Sequence, residues 1–369
     1  MTRLAQAAVT RGAGDFSIEE IEVADPIGDE VLVEIKASGI CHTDYDSLSW
    51  GGPLILGHEG AGIVTAIGDK VTSVTIGDPV VLNWAIPCTR CFQCEAGNEA
   101  ICEVNSPVTG NGNMQGHARL ESSQLNHQGI ARSFHLGSMS TYSVVREAAV
   151  IKLPSGIPFS SACILGCGVM TGVGSVHRAA KDVRDKSVVV LGAGGVGLNV
   201  IQGARIGGAR EIIAIDIHPD RLKTAKQFGA TQGILADTND TGLLQAAEQV
   251  KALTDQRGAD VAFECTARPE LGAAPLAMIR NAGMAIQVSG IEQSIPFDME
   301  LFEWDKIYLN PLYGKCKPSE DFPRLFSLYA SGELLLDELV TQTYRLEDLD
   351  TAFADLLAGK NAKGVICFD

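Results

Sequence analysis

Cys88, Cys91, Cys94 and Cys102 crowd into one hydrophilic stretch, CTRCFQCEAGNEAIC. The spacing Cys-x2-Cys-x2-Cys-x7-Cys lets successive thiolates turn toward one point, as a tetrahedral zinc ion with Zn–S bonds near ~2.3 Å requires. Four sulfurs close the coordination shell and leave no position for a substrate, so the expectation is a structural zinc that holds a loop with little apolar content. Two disulfides or four unconnected thiols are the other fates of such a cluster. The chain has ten cysteines and no secretion signal, so they are expected to be mostly reduced, which weighs against disulfides. A zinc ribbon for nucleic acid would use the same ligands, but this loop sets Glu95, Glu99 and Glu103 against Arg90 alone.

A second constellation lies upstream in GICHTDYDSLSWGGPLILGHEGAG, where Cys41, His58 and Glu59 sit among glycines. Cys and His suit zinc, and the nearby Asp44 can orient the imidazole through its second nitrogen. A third ligand is needed. Cys167 in ILGCGVMTG is a candidate, and by spacing alone Cys163 is nearly as well placed; either can instead be a small buried hydrophobe. Cys2His with one open position is a catalytic zinc arrangement. Cys265, Cys316 and Cys367 adjoin apolar runs and read as core.

A third signal is SVVVLGAGGVG. A short apolar run is followed by Gly192, Gly194 and Gly197 in G-x-G-x-x-G spacing, with Gly195 and Val196 between, and then by a helical pattern. The helix N-terminus can face a pyrophosphate, and the next strand, EIIAID, ends in Asp216, 19 residues past Gly197. A carboxylate there accepts hydrogen bonds from ribose hydroxyls and repels a 2′-phosphate, so NAD is expected rather than NADP. His218 and Arg221 follow closely enough to flank the adenosine.

These signals need elements to position them. Downstream of Asp216 the pattern predicts a helix over 219–229, a strand near 233, a helix over 241–256, the strand DVAFEC, a helix over 270–281 and the strand MAIQVSG, together a doubly wound parallel sheet. In the helix over 241–256, Leu243, Leu244, Ala247, Val250 and Leu253 form a core-facing stripe. At 369 residues, 46% hydrophobic and 20% charged, the chain is ordinary globular material long enough for two domains. Its formal charge of −16 disfavours nucleic acid and anionic membrane as partners. The uncharged runs 153–176 and 187–204 each hold five glycines and read as buried strand and loop, not as membrane spans. MTRLAQAAVTRGAGD has no apolar run of signal-peptide length, so the expected compartment is the cytoplasm.

Taken together, GHEGAGIVTAIGDKV, CTRCFQCEAGNEAIC and LGAGGVG followed by AIDI resemble the zinc-dependent alcohol dehydrogenases of the medium-chain dehydrogenase/reductase superfamily, over essentially the whole chain. The resemblance implies an α/β protein: a mostly β, GroES-like catalytic domain over 1–168 and 309–369, a Rossmann coenzyme domain over 169–308, and an active site in the cleft. It implies two zincs per chain. Cys41, His58 and Cys167, rather than Cys163, would bind the catalytic one with Glu59 and Asp44 behind them, and Cys88, Cys91, Cys94 and Cys102 the structural one. Thr43 resembles the hydroxyl that carries the substrate proton outward, although Asp46 stands where many relatives continue the relay through His. The NAD site would comprise His42, where some relatives have Arg, with Thr171, Gly192, Gly194, Gly195, Val196, Gly197, Asp216, Arg221 and Lys363. Trp84 resembles a pocket-lining position beside the zinc.

The implied activity is reversible hydride transfer between a primary alcohol, aliphatic or aromatic, and NAD. An S-(hydroxymethyl)thiol such as S-hydroxymethylglutathione is the alternative substrate, disfavoured by the lack of a basic residue in EVNSPVTG just after Cys102. A non-catalytic NAD- or zinc-binding scaffold is the rival from another class. The long segment 103–134 resembles that of dimeric members, so a homodimer is expected.

Overall fold

The computed structural model describes residues 3–109, 129–291 and 293–368. Packing divides the chain into two units. One comprises Met1–Cys167, Lys317–Tyr329 and Leu336–Asp369; the other comprises Gly168–Cys316 and Ala330–Leu335.

The first unit is mostly β. Its central strand, Glu30–Gly39, pairs along one edge with Gly60–Ile67. Along the other edge, residues 30–34 pair with Tyr142–Arg146 and residues 37–39 with Lys363–Cys367. The sheet runs Val340–Tyr344, Lys363–Cys367, Glu30–Gly39, Gly60–Ile67, Pro79–Leu82, Val150–Lys152. A strand flanked at both edges is buried almost throughout, which suits the apolar run of Val31, Leu32, Val33 and Ile35. A smaller sheet orders Phe16–Val23, Arg3–Thr10, Leu54–Ile55 and Ala131–Arg132. Ile40, Leu48 and Leu56 share a buried cluster with Met139, Leu349 and Phe353, and so seat the chain on both sides of Cys41 and just before His58.

The second unit is a six-stranded parallel sheet ordered Gln232–Leu235, Glu211–Asp216, Ser187–Leu191, Ala259–Glu264, Ile279–Gln287, Ile307–Leu309. The order reverses between Ser187–Leu191 and Ala259–Glu264, the switch point at which such sheets take ligands beyond their carboxyl ends. Val189, Leu191, Ile213 and Ile215 pack with Ala246, Ala247, Val250 and Leu276 on one face. The alternate residues Val188, Val190, Ile212 and Ala214 are buried on the other. Both faces are covered, as the doubly wound reading expects.

Three details differ from the sequence expectations. The helix expected over 241–256 begins at Leu244, because Gly242 and Leu243 adopt left-handed conformations and the Asp240 carboxylate accepts the backbone N–H groups of Gln245 and Ala246. That start turns Leu244 and Leu253 to solvent and puts Ala246 in the core instead. The helix expected over 270–281 shrinks to the turn Pro269–Leu271 and the four residues Pro275–Met278, and the strand starts at Ile279. Pro275 can start a helix but cannot continue one, and the chain is already paired with the neighbouring strand at Ile279. Cys316 is core as expected and Cys265 is half-buried, but Cys367 is exposed at the end of its strand.

In the turn after Ser187–Leu191, Gly192 has φ 89°, and a Cβ on Gly197 would lie 1.9 Å from the Gly192 carbonyl oxygen. At Gly194 an added Cβ meets nothing within 4 Å. Gly197→Ala is therefore expected to lower stability by about 1–3 kcal/mol, read as a lower urea midpoint, while Gly194→Ala stays near wild type. Equal midpoints for the two variants would contradict this packing.

Candidate active site

Cys41 ends the connection from Glu30–Gly39 and caps the short helix His42–Asp46 in an extended conformation. His58 follows Gly57, whose φ is 93° and where a Cβ would lie 2.4 Å from the Met139 backbone nitrogen. Only glycine fits that turn, and it delivers His58 and Glu59 to the start of Gly60–Ile67. Cys167 follows the turn Cys163–Gly166. The ligand atoms of Cys41, His58, Glu59 and Cys167 all lie within 4.8 Å of one another. Cys163 stands outside this group, its thiol donating to the Ser160 carbonyl at 3.2 Å.

Asp44 joins the pieces. It is fully buried, with one carboxylate oxygen 2.8 Å from His58 Nδ1 and the other accepting the Cys41 backbone N–H at 2.9 Å. With Nδ1 engaged, Nε2 is the nitrogen left for a ligand. Glu59, also fully buried, pairs through Oε1 with Lys363 Nζ at 2.6 Å, and its Oε2 has no hydrogen-bond partner. Lys363 reaches it because Lys363–Cys367 runs beside Glu30–Gly39, with the Ile40 N–H donating to the Gly364 carbonyl. Lys363, expected as a coenzyme contact from the resemblance, is here paired with a carboxylate beside the thiols.

The hydrogen bond from Cys167 holds the Cys41 thiol well below the ordinary thiol range, against burial, with His58 and Lys363 adding positive charge. Cys167 is pushed well above that range by the same bond and by burial. Burial opposes charge on His58, but Asp44 and Cys41 outweigh it and raise the imidazole well above its usual value. Burial raises Glu59, partly countered by Lys363. Two thiols, an imidazole and an orphaned carboxylate oxygen fit a zinc ion by donor type.

Thr43 Oγ1 lies 3.7 Å from Cys41 Sγ, while His42 and Asp46 are exposed. Trp84 is buried just past Pro79–Leu82 in a turn fixed by Asn83, whose side chain accepts from the Ala85 N–H and donates to the Ala85 carbonyl. Sequence reasoning missed Phe134, whose ring centroid is 4.7 Å from that of His58, and Trp50 beside it. Nothing in the spacing could have revealed a partner 76 residues from His58.

The other cysteines also converge. The sulfurs of Cys88, Cys91, Cys94 and Cys102 lie within 4.8 Å of one another, and the Cys102 sulfur accepts the Cys88 and Asn105 N–H groups at 3.3 Å. Cys91 is drawn down to about 6, chiefly by the Cys94 backbone N–H, and Cys94 is pushed up to about 12, chiefly by burial. Four convergent sulfur donors match the all-cysteine form of a closed structural zinc site.

In the second unit, the helix Gly195–Ile206 starts immediately after Gly192–Gly194, placing Gly195, Val196 and Gly197 in its first turn. Asp216 ends its strand and is buried, accepting the Ala193 N–H at 2.8 Å and the His218 N–H at 2.9 Å, with Arg221 3.7 Å away. The carboxylate thereby ties the glycine turn to the neighbouring strand. Thr171 lies half-buried in Gly168–Gly174. At the end of Ala259–Glu264, buried Glu264 accepts from Thr266 and Ser289, a pair the sequence did not single out.

Asp44→Ala leaves both His58 Nδ1 and the Cys41 N–H without their acceptor. It is expected to weaken zinc at the Cys41 cluster by about 10–100-fold while the four-sulfur site keeps its metal, as measured by competition with a chelator. Equal loss from both sites would contradict it.

The family described as "Alcohol dehydrogenase GroES-like domain" matches residues 28–155, and that described as "Zinc-binding dehydrogenase" matches residues 195–331. The chain is 34% identical to alcohol dehydrogenase B of Mycobacterium tuberculosis over 95% of this chain and 94% of that one. It is 36% identical to an S-(hydroxymethyl)glutathione dehydrogenase of Synechocystis over 98% and 99%. The structure of benzyl alcohol dehydrogenase from Acinetobacter calcoaceticus is similar over 100% of both chains, with a TM-score of 0.87 and 32% identity. The chain belongs to the zinc-binding alcohol dehydrogenases of the medium-chain dehydrogenase/reductase superfamily.

Proposed function

We propose that Cys41, His58 and Cys167 hold the catalytic zinc of an NAD-dependent oxidoreductase that interconverts primary alcohols, aliphatic or aromatic, and aldehydes. The observation that carries this is the convergence of two thiols and one imidazole within 4.8 Å, backed by Asp44. When bound, zinc supplies Lewis acidity that lowers the pKa of a substrate hydroxyl, and NAD accepts the hydride.

The chain's own residues do the rest. Asp44 fixes the imidazole and the Cys41 backbone with one carboxylate. Lys363 offsets the charge of Glu59, so that two thiolates can balance a divalent cation. Thr43 takes the substrate proton on its hydroxyl and passes it toward solvent, where Asp46 stands in place of the relay histidine. Gly192, Gly194, Gly195, Val196 and Gly197 receive the pyrophosphate, with His42, Thr171, Arg221 and Lys363 as further NAD contacts and Asp216 toward the adenosine ribose. Trp84 lines the substrate pocket. Cys88, Cys91, Cys94 and Cys102 carry the structural zinc. The catalytic domain is assigned to 1–168 and 309–369 and the coenzyme domain to 169–308.

A second reading, oxidation of S-(hydroxymethyl)glutathione, is favoured by the name of the Synechocystis relative. Among the described residues after Cys102, the stretch 103–109 offers no basic side chain for the tripeptide's carboxylates.

We also propose a homodimer in the cytoplasm, without nucleic-acid or membrane partners. Of the segment 103–134 that prompted the dimer, residues 110–128 lie outside the described residues. Independent support is the edge strand Ile307–Leu309, whose Ile307 is 49% exposed and which follows Trp304 at 67%, an edge with no strand partner among the described residues that a second copy can cover. Among the described residues no single helix is long and apolar enough to cross a membrane.

The test is NADH formation by zinc-loaded protein over short, long and benzylic alcohols. Turnover is expected from wild type, and Cys41→Ala is expected to lower it about a thousandfold, about 4 kcal/mol of transition-state stabilisation, while the loop zinc stays bound. Undiminished turnover in Cys41→Ala would sink the assignment.

A further inference from the structure

A buried acid in the second unit takes no part in the reading above. Glu264 ends Ala259–Glu264 with no exposure to water. One carboxylate oxygen accepts the backbone N–H and the hydroxyl of Thr266, and the other accepts the hydroxyl of Ser289. Each hydroxyl oxygen in turn accepts a backbone N–H, Thr266 from Arg268 at 3.2 Å and Ser289 from Ala267 at 3.1 Å, which leaves both hydroxyl protons for the carboxylate. Three donors therefore converge on the group, an arrangement that suits the anion. Burial lifts the carboxyl above its ordinary value, and the bonds from Ser289 and Thr266 counter it. Among the described residues no Lys, Arg or His forms an ion pair with it, and the Arg268 guanidinium is taken by Glu270.

This acid sits at the switch point of the parallel sheet. Glu264 pairs with Leu191, the residue before the glycine turn, and the Cys265 N–H donates to the Leu191 carbonyl at 2.8 Å. A Cβ on Gly192 would lie 2.9 Å from Thr266 Cγ2, so the turn after Glu264 packs against the glycine turn. On its other side Ser289 comes just past Ile279–Gln287, and the carboxylate thus joins the carboxyl ends of two neighbouring strands. Ala267, at φ 58°, is a left-handed residue other than glycine, and its N–H is held by Ser289. A dinucleotide crosses such a sheet with one mononucleotide over each half. The glycine turn and Asp216 mark the adenosine half, so the ends of Ala259–Glu264 and Ile279–Gln287 face the nicotinamide half.

We infer that the Glu264 carboxylate sets the preference of this site between oxidised and reduced coenzyme, as a fixed negative charge at the nicotinamide half. The inference rests on the NAD reading above and adds to it a residue that discriminates redox states. NAD and NADH share the adenosine, the pyrophosphate and the second ribose, and they differ by the positive charge of the oxidised ring. A buried charge without a cationic partner is costly, and groups of this kind cluster at functional sites. Inside a crevice of low dielectric, its pull on a nearby cation is much stronger than in water. It stabilises the oxidised ring and leaves the neutral one nearly unaffected, which lowers the reduction potential of the bound coenzyme.

The test is calorimetric titration of zinc-loaded wild type, Glu264→Gln and Glu264→Asp with NAD, NADH and ADP-ribose. In Glu264→Gln the Kd for NAD is expected to rise about tenfold while those for NADH and ADP-ribose stay within about twofold of wild type. Glu264→Asp keeps the charge and is expected to hold the wild-type ratio of the two coenzyme affinities within about threefold. Equal weakening of NAD and NADH in Glu264→Gln overturns the proposal, because a side chain that only shapes the turn would affect both alike. A second readout uses wild type alone and keeps the proposal testable should Glu264→Gln not fold. Benzamide adenine dinucleotide, the neutral isostere of NAD, is expected to bind about tenfold more weakly than NAD, and equal binding overturns the proposal. Failure of wild type to bind NAD, NADH and ADP-ribose alike would instead refute the NAD reading itself.

Discussion

A single buried carboxylate holds the site in shape. Asp44 has no exposure to water and spends both oxygens on the Cys41 and His58 segments, one on His58 Nδ1 and one on the Cys41 backbone N–H. Burying a charge is costly unless it is paired and hydrogen-bonded, so the geometry of these two contacts is strongly enforced. Cys41 precedes a five-residue helix and His58 follows a left-handed glycine, and neither local structure would fix their separation alone. The carboxylate converts two flexible approaches into one rigid pair of donors.

The same economy recurs across the molecule. Glu59 and Lys363 form a buried pair beside the thiols, supplied by strands far apart in sequence but adjacent through the Glu30–Gly39 sheet. In the second unit, Asp216 binds the glycine turn through the Ala193 N–H and its own following turn through the His218 N–H. The Cys41–His58 pair and the glycine turn therefore each rest on an acidic side chain that accepts backbone N–H groups. Such groups are expensive to bury without partners, and they specify one arrangement when fully satisfied.

How much of this was legible depended on the range over which the signal acts. The convergence of four sulfurs was readable because the cysteines lie within one loop, where spacing alone brings the thiols together. The glycine turn and Asp216 were readable because a strand, a turn and a helix impose their order locally. Cys167 and Cys163 could not be separated by spacing. The fold separates them, turning one thiol to the cluster and the other to the Ser160 carbonyl. The helix over 270–281 was misread because apolar residues there serve a strand from Ile279, a pairing decided by the neighbouring strand and not by local pattern. Leu244 and Leu253 were misplaced because two left-handed residues reset the phase of their helix. Phe134 left no trace in the sequence at all, since its contact with His58 depends on the pairing of Leu54–Ile55 with Ala131–Arg132.

Two convergent donor clusters of different composition, one all sulfur and one mixed, carry the proposal of two zincs per chain. Zinc-edge X-ray absorption on the purified enzyme reads both first shells at once. The expected result, averaged over two zincs per chain, is about three sulfurs near ~2.3 Å and about one lighter nitrogen or oxygen donor. A first shell of four sulfurs alone, with a single zinc per chain, would contradict the presence of an ion shared by Cys41, His58 and Cys167.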